Sequence, residues 1–222
     1  MKEEIPAELP GPITEIRPQK KSSERYSLFV GEAFVIGLSG DTLLEFGLKK
    51  GDLLTPELWR RLREAEGRGA VKSYMVRMLG RRDHARRELS DKARRKDLNH
   101  AFIDDVLDEL ERKGYLDDRA FAVSFARDKY ELNRWGPSKI RAHLRKKGIG
   151  RADADRALEE VFEEADLQAA LRGLVEKRRR HFLREEDPFK RKKKIFDYLA
   201  RKGFRAGSIH ACLDELTKLV SE

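Results

Sequence analysis

The residues of this chain best suited to chemistry are cations, and they come in groups. Arg81, Arg82, Arg86 and Arg87 form the first, Lys139, Arg141, Arg145, Lys146 and Lys147 the second, and Lys190, Arg191, Lys192, Lys193 and Lys194 the third. Such side chains only donate hydrogen bonds, so grouped together they suit phosphate or carboxylate partners. Their spacing admits two readings. They form a basic stripe for a polyanion or an acidic protein surface, or they pair with acidic positions on the chain's own helices. The charge balance favours the stripe. The net charge is +9, yet residues 1–66 carry −2 and the remainder +11. A further run, Lys177-Arg178-Arg179-Arg180-His181, reads equally as a DNA contact or as the solvated end of a helix.

Other chemistry lacks its constellation. His84, His100, His143, His181 and His210 are scattered, and none stands with cysteine at zinc spacing. Gly67-Arg68-Gly69 is neither a phosphate loop nor a dinucleotide fingerprint. The carboxylates fall on outward helix positions, and Cys212 falls on an apolar helix face, where a buried inert thiol is expected rather than a nucleophile. No catalytic residue, metal ligand or cofactor is therefore assigned, and no enzyme is expected. A single cysteine fits a reducing compartment, and no apolar run is long enough for a membrane span. Residues 1–12 lack the basic and then apolar order of a secretory signal and read as a disordered tail. A cytoplasmic protein is expected.

The elements that carry the cations follow from periodicity. Residues 13–70 read as a small N-terminal region. Tyr26, Leu28 and Val30 alternate, then Phe34, Ile36 and Leu38, with Gly31-Glu32 between them as a hairpin turn. Ile13–Arg17 adds a candidate third strand, and Asp41–Phe46 a short helix closed by Gly47. Thr55-Pro56 predicts a capped helix to about Glu66, followed by a linker at Gly67-Arg68-Gly69.

Beyond residue 70 the chain repeats. Ile103, Val106, Leu107 and Leu110 share one helical face pattern with Ala154, Ala157, Leu158 and Val161 and with Ile209, Cys212, Leu213 and Leu216. Asp108 and Glu109, Glu159 and Glu160, and Asp214 and Glu215 are the matching outward acids. Ala85/Leu89, Ile140/Leu144 and Ile195/Leu199 mark a preceding helix, and the last two copies end in Lys146-Lys147-Gly148 and Arg201-Lys202-Gly203, 55 residues apart. A first helix carries Val71, Tyr74, Met75 and Met78, then Phe121, Ala122 and Phe125, then Leu167, Ala170, Leu171 and Leu174. Asp83 is the expected cap of the second helix in the first unit, and Asp117 or Asp118 that of the following helix. Tyr115, Leu116 and Phe121 read as packing at a joint between units, and Trp135 as a loop anchor rather than a base-stacking residue. The fold class is thus mainly α. A tandem, elongated array of three three-helix units (71–120, 121–166 and 167–222) follows the hairpin-bearing region.

Three stretches carry a resemblance. Gly114-Tyr115-Leu116-Asp117-Asp118-Arg119-Ala120-Phe121-Ala122, Trp135-Gly136-Pro137-Ser138-Lys139-Ile140 running on to Lys147-Gly148-Ile149, and Arg81-Arg82-Asp83-His84-Ala85-Arg86-Arg87-Glu88-Leu89 resemble motifs of the RecX family of bacterial regulators, in the family's order. The resemblance covers about residues 71–216, and the N-terminal region is similar to an extension found in part of that family. It implies a non-enzymatic, monomeric negative regulator that lies in the groove of the RecA–DNA filament. Such a protein limits ATP hydrolysis, strand exchange and cleavage of the SOS repressor, and has some affinity for single- or double-stranded DNA. The alternative is a helical module acting on DNA directly, since Ile140–Val161 reads as helix, glycine turn, helix. A helical scaffold for another acidic partner is a third class.

Overall fold

The structure is a computed structural model that describes residues 4–20, 22–163 and 166–220. Four strands come first: β1 (Gly11–Gln19), β2 (Ser22–Val30), β3 (Ala33–Ser39) and, after the short helix α1 (Gly40–Glu45), β4 (Leu53–Leu54). They form one antiparallel sheet in the order β3-β2-β1-β4. Val30 pairs with Ala33 around the two-residue turn, where Gly31 takes φ +62°, a value costly for any residue with a Cβ. Residues 11 and 12 lie outside any tail, because Gly11 and Pro12 pair with Leu54 and Leu53. Met1–Glu3, the start of the expected tail, fall outside the described residues.

The sheet has a core of its own. Ile13, Leu28, Ile36, Leu38, Leu54, Trp59 and Leu62 are buried together. The Trp59 indole donates to the Val35 carbonyl at 3.0 Å, so its one polar atom is satisfied. Trp59 and Leu62 belong to α2 (Pro56–Leu79), capped by Thr55 as expected.

The linker expected at Gly67-Arg68-Gly69 does not exist. Helix α2 runs through it unbroken. The cause lies in tertiary contacts that outweigh glycine's helix penalty of about 1 kcal/mol. Glu66 accepts from the Ser39 amide at 2.6 Å and from Arg25 at 2.9 Å, which fixes the helix to the sheet. Arg68 reaches Asp105 at 2.7 Å and Glu109 at 2.5 Å, and Lys72 reaches Glu109 at 2.8 Å. Gly67 lets the Phe102 ring come close, since a Cβ there would sit 3.0 Å from it. The expected boundary at residue 70 therefore falls inside a helix. Glu109, expected to face outward, is 8% exposed and serves as the buried acceptor of this cluster.

The remaining helices are α3 (Arg86–Arg95), α4 (Ile103–Arg112, led by a 3-10 turn at His100–Phe102), α5 (Asp118–Glu131), α6 (Pro137–Lys146), α7 (Arg151–Glu163), α8 (Leu167–Lys177), α9 (Arg179–Leu183), α10 (Pro188–Lys202) and α11 (Ala206–Lys218). The expected third-helix faces on α4, α7 and α11 are all buried, as are Ile140, Leu144, Ile195 and Leu199. Phe121, Ala122 and Ala126 close one small core with α6 and α7, and Leu171, Leu174 and Phe182 another with α10 and α11. The chain divides into two compact bodies, Met1–Arg81 with Ser90–Leu110, and Arg82–Leu89 with Glu111–Glu222.

Candidate partner-binding surface

Backbone geometry at the joints between three-helix units positions the cations of the second body. Two joints follow one design. At each, the glycine that ends a second helix in the left-handed conformation presses on the start of the preceding unit's second helix. Gly148 (φ +91°) leaves room for Arg87, whose Cβ lies 2.5 Å from where a Gly148 Cβ would be. Gly203 (φ +96°) does the same for Lys139, at 2.4 Å. At the second joint the Gly136 amide donates to the Lys202 carbonyl at 2.8 Å and the Ser138 amide to the Gly203 carbonyl at 3.0 Å. These bonds satisfy both a helix C-terminus and the N-terminal amides of its neighbour.

The start of α3 is held differently from the expected cap. The Arg86 amide donates to Asp118 Oδ1 at 2.8 Å, so a carboxylate from α5 fills the place expected for Asp83. Asp117 caps its own helix through the Arg119 and Ala120 amides. Partial burial, opposed by the Arg86 amide, raises the Asp118 pKa.

Many of the candidate cations have partners within the chain. In each unit, one on the second helix reaches a carboxylate on the third: Arg86 to Glu111 at 2.6 Å, Arg141 to Asp155 at 2.7 Å, Lys192 to Asp214 at 2.5 Å. The side-chain bonds to arginine and lysine hold Asp155 and Asp214 below the usual carboxylate range. Arg82 reaches Glu88 at 2.5 Å and Lys147 reaches the same carboxylate at 2.8 Å. Burial alone would raise the Glu88 pKa, but the two cations reverse that and lower it to about 2. Lys194 pairs with Glu185, Lys190 lies 4.0 Å from Asp187, and Arg191 donates to the carbonyls of Glu185, Glu186 and Val220. Lys139 stands over the Trp135 ring, 4.5 Å from its centroid.

Arg145, Lys146 and Lys193 are exposed, with no carboxylate within 4.0 Å among the described residues. Arg145 opens on a cleft that Arg151, Phe162, Phe204 and Arg205 also line. Arg81 is exposed as well but belongs to the other body. The run at residues 177–181 is not one helix end, since the chain breaks at Arg178 between α8 and α9.

Leu116 and Phe121 are buried as expected, whereas Tyr115 is 65% exposed and packs no joint. Trp135 is half-buried against the core formed by α5, α6 and α7, with His143 4.5 Å from its ring, in keeping with a loop anchor. Cys212 is buried, and burial raises its thiol pKa. Among the described residues, no group of three or more His, Cys, Asp or Glu is arranged to hold a metal ion. No described helix is long and apolar enough to cross a membrane.

Asp118 is expected only as a cap of its own helix, and neither Glu88 nor Lys202 is among the candidate site residues. The 55-residue offset that aligns Lys147 with Lys202 was the available signal for the last of them.

Comparison with known proteins covers the whole architecture. The chain matches four family descriptions in order: the regulatory protein RecX N-terminal domain over residues 11–55, and the first, second and third three-helix domains of RecX over 72–110, 117–158 and 164–213. A regulatory protein RecX from Bacillus cytotoxicus is 29% identical over 211 residues, covering 92% of this chain and 76% of that one, and one from Bacillus mycoides gives the same figures. A crystal structure of regulatory protein RecX superposes with a TM-score of 0.74 at 26% identity, over 91% of this chain and 98% of that chain. The crystal structure of RecX from Lactobacillus salivarius shares the fold, with a TM-score of 0.58 at 24% identity over 68% of this chain and 97% of that one.

Proposed function

Because the chain belongs to the RecX family of regulatory proteins, we propose that it is a negative regulator of the RecA recombinase. It binds along the groove of the RecA–DNA filament in the cytoplasm as a monomer. There it lowers ATP hydrolysis, strand exchange and the repressor cleavage that opens the SOS response. The observation that carries this reading is the repeated joint. Gly148 and Gly203 lie 55 residues apart, and each presses on the start of the preceding second helix, so the two joints of the second body follow one rule. A stack built by one rule suits a partner that presents the same surface at regular intervals, and engaging several subunits at once favours the assembled polymer over its free subunit. Arg145, Lys146 and Lys193 supply uncompensated charge. The exposed ion pairs at Arg141 and Lys192 are worth under about 1 kcal/mol each, so an acidic partner can replace their internal carboxylates.

Mechanistically, the stack bridges neighbouring RecA subunits and occludes the groove that duplex DNA or repressor must enter. It also draws the subunit interface away from its hydrolytic state. Titration into an active RecA–DNA filament should lower ATPase activity at substoichiometric ratios. Full activity at equimolar protein rejects the reading.

The direct DNA-reading alternative is weaker. In a helix-turn-helix reader the second helix of the pair enters the major groove. Here that helix is α7, which carries Asp153, Asp155, Glu159, Glu160 and Glu163 against Arg151 and Arg156. A net acidic helix is repelled by phosphate.

A further inference from the structure

The third unit leaves two large apolar side chains in water, close in sequence to unneutralised cations. Phe189, in the first turn of α10, is 87% exposed, and Leu183, the last residue of α9, is 40% exposed. The turn between them is built rather than loose. Arg191 donates to the carbonyls of Glu185 and Glu186, and Asp187 accepts from the Phe189 and Lys190 amides at 2.8 and 3.2 Å. Phe182, beside Leu183, is buried in the core of the unit. The fold therefore holds both apolar tips outward, and large apolar groups kept in water favour a partner that covers them.

The surrounding charge is of one sign. Residues 177–194 carry ten arginines and lysines against three carboxylates. Two of those three are already engaged, Glu185 by Lys194 and Asp187 by the start of α10. Among the described residues no carboxylate lies within 4.0 Å of Arg179, Arg180, Arg184 or Lys193. Arg179, Arg180, Arg184 and Leu183 are among the residues lining an open recess of about 800 Å³. On α10 the exposed positions Phe189, Lys190 and Lys193 share one helical face, turned away from the buried Ile195 and Leu199.

We propose that this corner between α9 and α10 docks on a membrane surface rich in anionic phospholipid. Phe189 enters the boundary of the acyl chains with Leu183 beside it, while Arg179, Arg180, Arg184, Lys190 and Lys193 meet headgroup phosphates. An anionic bilayer presents negative charge and hydrocarbon in adjacent layers, which matches apolar tips set among cations. Nucleic acid offers phosphates and flat bases, but Leu183 has no ring to stack on a base. One apolar anchor or one basic patch alone gives marginal attachment, and the two together give reversible binding without any spanning helix.

The test uses neither RecA nor DNA in its main arm, so its outcome is separable from the RecA reading. The full chain is sedimented with vesicles of phosphatidylcholine alone and of phosphatidylcholine mixed with phosphatidylglycerol. The wild type should pellet with the mixed vesicles, stay in solution with the neutral ones, and bind less as salt rises. Phe189→Ser keeps every charge and should weaken binding to the mixed vesicles about fivefold or more. Arg180→Gln with Arg184→Gln should weaken it about tenfold or more at low salt. All three side chains are exposed, so the melting temperatures should match the wild type. In Phe189→Trp, vesicles with brominated acyl chains should quench emission beyond the wild-type response. A wild type that does not bind the mixed vesicles overturns the proposal. Equal binding by Phe189→Ser overturns it too, since charge adsorption alone would then suffice. If Phe189→Ser loses affinity for a labelled single strand of DNA but not for vesicles, the corner is a nucleic-acid surface and the proposal falls.

Discussion

Glu88 places one carboxylate oxygen 2.8 Å from the Lys147 ammonium and the other 2.5 Å from Arg82, tying the start of α3 to the end of α6. A carboxyl with a folded pKa of about 2, below its unfolded value of about 4.5, stabilises the fold above the unfolded value. That contribution is lost as pH falls through the window between the two. Glu88→Gln should therefore be less stable than the wild type at neutral pH, and the two denaturation curves should converge as pH drops from about 4.5 towards 2. A stability gap independent of pH across that window would show that the charge of Glu88 does not hold the joint.

Gly203 should be far more sensitive to substitution than a glycine that needs only its positive φ. It needs φ +96°, and a Cβ there would lie 2.4 Å from the Lys139 Cβ and 2.6 Å from its nitrogen. Gly114 needs φ +72° but faces open space. Gly114→Ala should cost about 1 kcal/mol through backbone strain, and Gly203→Ala about 2–4 kcal/mol because overpacking is added. Urea denaturation of the two variants measures the difference. Equal losses would remove the close approach as the reason for glycine at residue 203.

The continuity of α2 can be tested at Gly69. A Cβ there meets nothing within 4 Å. Gly69→Ala should raise stability by about 0.5–1 kcal/mol, while Gly69→Pro should cost about 3 kcal/mol by removing a helical hydrogen bond. In a true linker both substitutions would be nearly neutral, so a tolerated proline would restore the linker reading. Gly67→Ala should gain less than Gly69→Ala, because its Cβ would crowd the Phe102 ring.

These three sites mark where sequence reading worked and where it stopped. The apolar faces of α4, α7 and α11 were legible because each obeys a local 3.6-residue period. So were the Thr55 cap and the Gly31 turn, which depend on neighbours in the chain. The glycines at 67 and 69 misled because their surroundings come from the distant residues Phe102, Asp105 and Glu109. Asp83 was the expected cap for the same reason: the carboxylate bound to the Arg86 amide is Asp118, 32 residues away. Basic groups were visible as charge, but which cations are neutralised depends on carboxylates from other helices. Arg141 and Arg145 look alike in sequence, yet only Arg141 meets Asp155.

That distinction yields a prediction for the RecA reading. Reversing the exposed cations, as Arg145→Glu with Lys146→Glu and Lys193→Glu, should weaken inhibition of the RecA ATPase about tenfold or more, since each reversal turns attraction into repulsion at an acidic surface. Fold stability should hold, because none of the three has an internal carboxylate partner among the described residues. Lys192→Gln should weaken inhibition less. Lys192 already directs part of its charge to Asp214. The two variants are compared by the protein concentration that halves ATP hydrolysis. Wild-type potency in the triple variant would move the RecA contact away from the second helices altogether.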